Sequence, residues 1–375
     1  MVVAVVSVLS VAAEAAAPPG LSVSPEGVLL REGAPYRGLG VNYFDCFYRT
    51  LSDPANTSYD AGFAALAERH IPFVRFMCSG FWPSDNKLYF ENNEAYFQRL
   101  DAVVQSAEKH GIGLIPSLFW NMNTVPDLVH EPCDQWGNPA SKTHEFMRQY
   151  VREVVTRYAA SPAIWGWEFG NEYNLGADLP NAAEWRPATW PQLGTPATRS
   201  ARDELTHDMV RAAFAEFARA VRQYDSHRFI TSGNGCPRPS AWHQRRERSW
   251  TTDTPEQYAE MLAGDNRDPM NVLSIHAYED YARIRPTLEI AARLKKPLFV
   301  GEFGVAGAPS DKTRQDFTAM LTLIETSGVP LAALWVYDHG GQDEWNVTAT
   351  NARSYQLQAV GEANDRLHAA EGKPK

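Results

Sequence analysis

Eight short apolar runs, separated by segments of helical period, constrain this chain more than any other feature. They are GLGVNYF (38–44), PFVRFM (72–77), IGLIPSLF (112–119), IWGWEFG (164–170), RFITSG (228–233), VLSIHAY (272–278), PLFVGEFG (297–304) and LAALWVY (331–337). Each reads as a strand buried on both faces. Between them, NNEAYFQRLDAVVQSAEKHG opens on Asn and meets Gly just past its end, as a capped helix does. KTHEFMRQYVREVVTRYAA and ARDELTHDMVRAAFAEFARAVRQYD carry the same period. Strand and helix alternating eight times predicts an α/β fold, the (β/α)8 TIM barrel, with an open doubly wound sheet as the alternative. No glycine-rich dinucleotide fingerprint follows the first strand, which counts against that alternative. Ahead of the barrel, LSVSPEGVLLREGAPYR alternates around Pro25-Glu26-Gly27 and Glu32-Gly33 and predicts a short N-terminal β-hairpin.

A chain of 375 residues, 44% hydrophobic with 11 tryptophans, can fill one large core. Its 35 basic against 45 acidic residues, net −10, lack the footprint of a nucleic-acid or anionic-membrane binder. Residues 2–13, VVAVVSVLSVAA, are too short for a stable membrane anchor and run into the small-residue stretch AEAAAPPG, although no Lys or Arg precedes them. The expectation is a signal peptide over 1–17, a single catalytic domain over 18–375, and a secreted or periplasmic monomer. Cys46, Cys78, Cys133 and Cys236 are an even set compatible with disulfides after export, in any of three pairings. Neither Cys-x-x-Cys nor paired His spacing is present, so no metal and no cofactor is expected.

Chemistry concentrates where the strands end. WGWEFGNEYNL brings Asn171 and Glu172 to the end of strand four, and Gly301-Glu302-Phe303-Gly304 brings Glu302 to the end of strand seven. Strand ends face one another across a barrel mouth, so the two carboxylates can share one cleft. Retaining glycoside hydrolysis needs such a pair, roughly 5 to 5.5 Å apart, one a nucleophile and the other an acid and then a base. Arg75 on strand two, His276 and Tyr278 on strand six, Asn42 and Asp45 after strand one, and Trp335 on strand eight complete a polar ring. Asp338 and His339 are weaker candidates. Glu168 alternates onto the face of Glu172 but deeper, and reads as a buried structural residue. Trp82, Trp120, Trp136, Trp185, Trp190, Trp242 and Trp345 fall in or beside loops after strands, where aromatic rings can stack on sugars. Two or three of them are expected to meet substrate.

This ordered set, Asn-Glu on strand four, Gly-Glu-Phe-Gly on strand seven, His-x-Tyr on strand six, Arg on strand two and Trp on strand eight, resembles glycoside hydrolase family 5 and its clan relatives, the cellulase and β-mannanase barrels. The likeness runs from about Leu21 through nearly the whole chain. It implies Glu172 as acid/base and Glu302 as nucleophile. It also implies Asn171 on the sugar 2-hydroxyl, Arg75 and Tyr278 keeping Glu302 ionised, His276 orienting the acid/base, and Trp335 flooring the subsite of the attacked sugar. Asn42 and Trp120 join the substrate-binding set. An arginine beside Glu302 favours its ionised form, whereas an apolar surround and a neighbouring charge make Glu172 hold its proton longer. Ser117-Leu118-Phe119-Trp120-Asn121 lacks the histidine many family 5 cellulases carry after strand three, which tilts the implied β-linked polysaccharide toward mannan ahead of cellulose-type glucan. Tyr173 stands where proline commonly follows Asn-Glu. An exo-acting β-glycosidase and a non-catalytic carbohydrate-binding barrel are the alternatives.

Overall fold

The computed structural model describes residues 19–371, so the expected signal peptide lies outside them. Three short strands, β1 (Leu21–Val23), β2 (Leu29–Arg31) and β3 (Ala34–Pro35), form an antiparallel sheet. The expected hairpin is its β1–β2 pair, with Leu21 opposite Arg31, and β3 adds a third rung beside β2. The eight apolar runs then form β4 (Gly38–Asn42), β5 (Phe73–Met77), β6 (Gly113–Phe119), β7 (Gly166–Gly170), β8 (Phe229–Thr231), β9 (Leu273–Ala277), β10 (Leu298–Phe303) and β11 (Leu331–Leu334). They pair in parallel in the order β8-β7-β6-β5-β4-β11-β10-β9. The ladder's two ends meet where Asn271 and Val272 donate their backbone N–H to Ile230 O at 3.1 and 3.2 Å, and Ile230 N reaches Asn271 Oδ1 at 2.8 Å. A barrel results, and every barrel-strand residue is buried, the polar Asn42, Arg75, Glu168, His276 and Glu302 among them.

The helices start and stop where their caps say. In Asn93–His110 the Asn92 side chain accepts from Ala95 N at 3.0 Å, and Gly111 ends the helix at φ 68°, a conformation that disfavours a side chain even though the space around it is open. Thr206 caps His207–Arg222, and Thr254 with Gln257 forms a capping box on Pro255–Asp265.

The two ends of the barrel differ in chemistry. Below, Leu21, Leu29, Phe73, Trp165, Phe229 and Phe299 pack into one apolar cluster, pinned by Leu21 N to Trp165 O at 2.8 Å. Removing Leu21 and Leu29 from water contributes about 1.5 to 3 kcal/mol each. The small sheet therefore plugs the floor. Above, the loops after the strands are long. The stretch after β7 is ordered by short turns at Tyr173–Gly176, Ala182–Glu184, Pro191–Leu193 and Ala201–Asp203. Arg199, its side chain 4% exposed, clamps it to Asp127 with two bonds of 2.6 and 2.7 Å and to Asp203 at 3.4 Å. That wall is built before substrate arrives.

Cys46, Cys78, Cys133 and Cys236 are all free and buried, so the disulfides the even count allows do not form. Burial raises each thiol above its ordinary pKa.

Candidate active site

Glu302 occupies the upper part of β10 and is 4% exposed. Both its oxygens are engaged. Oε1 accepts from Arg75 Nη1 at 2.7 Å, and Oε2 accepts from the Tyr278 hydroxyl at 2.5 Å. Burial and the neighbouring carboxylate push the Tyr278 phenol far up, so it stays a donor. Arg75, fully buried on β5, spreads its other donors over Glu168 Oε1 (2.7 Å), Asn42 Oδ1 (3.0 Å) and Asn171 Oδ1 (2.8 Å), with its guanidinium 4.4 Å from the centre of the Trp120 ring.

Glu172 stands just beyond β7 in a left-handed conformation, φ 54°, ψ 28°, with its N–H bonded to Gly233 O at 2.9 Å. Its side chain is 32% exposed, against 6% for Glu302. Burial raises its proton affinity, opposed by the charges of Arg75 and Arg238. His276 Nδ1 lies 2.8 Å from Glu172 Oε1 and 3.3 Å from Glu302 Oε2. Burial lowers the imidazole to about 3, so the ring is neutral, and a neutral ring facing two carboxylate oxygens carries its proton on Nδ1. The nearest oxygens of Glu172 and Glu302 are within 4.8 Å of each other. These two and His276 also form a cluster of metal-ligand type. Arg75 and Tyr278 already take both Glu302 oxygens, so the positive charge there is the guanidinium.

Two cavities meet over Glu172. One, of about 560 Å3, holds both glutamates and is lined by Tyr278, Trp335, Trp345, Trp82 and His339. The other, of about 330 Å3, lies against the loop after β7 and is lined by Leu175, Leu179, Trp185, Glu204 and Arg238. Phe81, Trp120, Asn171 and Glu172 line both, so the two cavities adjoin at Glu172, while Glu302 lines the larger alone. Trp120 and Trp335 stack 6.0 Å apart at 25°, and Trp335 Nε1 is fixed by Gln342 at 2.8 Å. Arg75 holds the Asn171 carbonyl oxygen, which turns the amide nitrogen toward the cleft.

The structure thus gathers Glu172, Glu302, Arg75, Asn171, His276, Tyr278, Trp335 and Trp120 around one cleft. Asn42 is placed otherwise. It is fully buried and donates to Gly301 O at 2.9 Å and Ala333 O at 3.3 Å while accepting from Arg75, so it braces the ring from below rather than facing a ligand. Asp45 and Asp338 both pair with Arg49, and His339 reaches the cavity tied to Asp45 at 3.0 Å. Among the loop tryptophans, Trp82, Trp120, Trp185 and Trp345 line the cleft; Trp136 is buried in the core and Trp242 bonds Glu260. Arg238 went unread in the sequence. It is held by the Leu175 carbonyl beside Glu172, and a lone arginine in a proline-rich loop gives no signal beyond following a strand.

A family model described as "Cellulase (glycosyl hydrolase family 5)" matches residues 33–341. The chain is 36% identical over 101 residues to a probable mannan endo-1,4-beta-mannosidase A of Aspergillus clavatus, covering 24% of this chain and 28% of that one. It is 31% identical over 153 residues to mannan endo-1,4-beta-mannosidase A of Hypocrea jecorina, covering 36% and 34%. The matched stretches span about a third or less of those relatives' length. In structure the chain resembles the endo-1,4-beta-mannanase from Rhizomucor miehei, with a TM-score of 0.68 and 16% identity over 93% of this chain and 99% of that one, a likeness of fold.

Proposed function

The chain belongs to glycosyl hydrolase family 5 and is a glycoside hydrolase, and from that premise we propose that it is a secreted, retaining endo-β-glycosidase. Its substrate is a β-1,4-linked polysaccharide, mannan first and cellulose-type glucan second. The observation that carries the mechanism is the carboxylate pair within 4.8 Å, which leaves room for a sugar carbon but not for an intervening water as inversion requires. Glu302, gripped by Arg75 and Tyr278, attacks the anomeric carbon. Glu172 protonates the departing glycosidic oxygen; His276 Nδ1–H occupies its Oε1, so the transferable proton resides on Oε2. In the second step Glu172 takes a proton from water, which displaces Glu302. Asn171 holds the 2-hydroxyl and Trp335 floors the attacked sugar.

Endo action is supported by a second cavity that adjoins the one holding both glutamates, giving a chain room beyond the attacked sugar. The mannan choice is supported by the names of the relatives and by Trp120-Asn121 standing where many cellulases have histidine. Export rests on the apolar leader, followed by one catalytic domain.

The test compares wild type with Glu302→Ala and Glu172→Ala on mannan, carboxymethylcellulose, xylan and aryl β-glycosides. Glu302→Ala should lose all activity. Glu172→Ala should lose polymer cleavage but retain glycosylation by aryl glycosides with good leaving groups, which need no acid. Wild-type activity in both variants sinks the assignment, and initial inversion of the product anomer by NMR sinks the nucleophile. Because Glu172 must be protonated and burial raises its proton affinity, activity should fall as pH rises through its titration. Glu172→Gln should abolish that basic limb.

A further inference from the structure

The ring contains a third glutamate for which the double displacement has no use. Glu168, on β7, is fully buried and bonds Arg75 Nε at 2.7 Å, while its second oxygen finds no protein partner. It is fitted closely. Gly233, at φ 73°, passes so near that a Cβ there would stand 2.8 Å from the Glu168 carboxyl carbon and 1.9 Å from Gly170 O. A buried carboxylate with an idle oxygen is costly to keep, and burial raises its proton affinity against the pull of Arg75.

We propose that Glu168 is a positioning residue of the reaction: it holds the Nε edge of Arg75 from beneath so that Nη1 meets Glu302, and it shares the guanidinium's charge with Glu302. A guanidinium wholly committed to Glu302 would stabilise the carboxylate so far that it attacks poorly. One divided between two carboxylates orients the nucleophile without quenching it. The groups facing Glu168 are Arg75 from β5 and Glu302 from β10; beside it in register, Ser117 on β6 and Thr231 on β8 do not ionise. Glu302 in turn faces Arg75, Tyr278, His276 and, across the cleft, Glu172.

The proposal rests on the reading of Glu302 as nucleophile. Its test is the pH profile of kcat and kcat/KM on an oligosaccharide the wild type cleaves, for Glu168→Gln, Glu168→Asp and Glu302→Ala. Glu168→Gln keeps the shape and an acceptor for Nε. It should lower kcat about tenfold, leave KM within about twofold, and move the acid limb down by about half a pH unit or more. Glu168→Asp keeps the charge but draws Arg75 back, so kcat should fall with the acid limb unmoved. A wild-type acid limb in Glu168→Gln, or a loss carried by KM or by melting temperature alone, overturns the proposal while an inactive Glu302→Ala leaves the site assignment standing. An active Glu302→Ala overturns both.

Discussion

Arg75 and Arg228 are both fully buried, one toward each end of the barrel, and they are held by different balances of main chain and side chain. Arg228, just before β8, gives its donors to the main-chain carbonyls of Ile164, Ala159 and Ser161 and to Asp225, at 2.7 to 2.8 Å. Arg75 gives its strongest bonds to side chains: Glu168, Glu302, Asn42 and Asn171. Three of these partners are main-chain carbonyls that cannot titrate or react, and the fourth, Asp225, is buried and lines neither cavity of the cleft, so Arg228 stitches the floor of the barrel. Arg75 bonds two carboxylates, one of which lines the cleft, so on the proposed mechanism it would serve the reaction as well as the fold.

Substitutions can break that contrast. Arg75→Ala should cost a thousandfold or more in kcat, about 4 kcal/mol at the transition state, and also destabilise the fold because Glu168 is left buried and unpaired; a variant with near wild-type kcat would put Arg75 in the same class as Arg228. Arg228→Ala should cost about 3 to 5 kcal/mol in urea unfolding, since Asp225 is stranded, with kcat per folded molecule unchanged. If kcat falls as far as in Arg75→Ala, the two ends are not separable. Asp225→Asn sharpens the point through pH. Burial works against the Asp225 carboxylate, but donation from Trp167, Arg228 and the Arg228 backbone holds it down to about 2. A depressed carboxyl stabilises the fold above its unfolded value and loses that contribution as pH falls through the folded one. The stability gap between wild type and Asp225→Asn should thus be on the order of 2 kcal/mol at pH 6 and close below about pH 4. The smallest effect belongs to the rim. Trp185→Ala should raise KM on polymer a few-fold, about 1 kcal/mol of lost stacking, with aryl glycoside turnover unaffected.

The barrel is legible in the sequence because a strand covered on both faces is mostly apolar, and all eight strands fall inside the apolar runs. Glu172, Glu302, Arg75, His276 and Tyr278 are legible as a group because polar residues at parallel strand ends have one place to converge. Asn42 marks the limit. It ends β4 much as Asn171 follows β7, yet neighbouring carbonyls from β10 and β11 capture its amide, and a string does not say which carbonyl lies within reach. The third N-terminal strand is two residues long, below any periodic signal. The cysteines mislead for a related reason: an even count carries no geometry, and here it describes four buried free thiols.

Glu172's left-handed backbone has a consequence for the polymer. That region of conformational space is narrow for a residue with a side chain, and its N–H is tied to the next strand's loop. The direction in which the side chain leaves the main chain is therefore set by the fold, and only rotation about its own bonds moves the carboxyl. On the proposed reading of Glu172 as the acid, a glycan in this cleft would have to bring its glycosidic oxygen to the carboxyl, and decoration or stiffness in the glycan would then govern where it is cut.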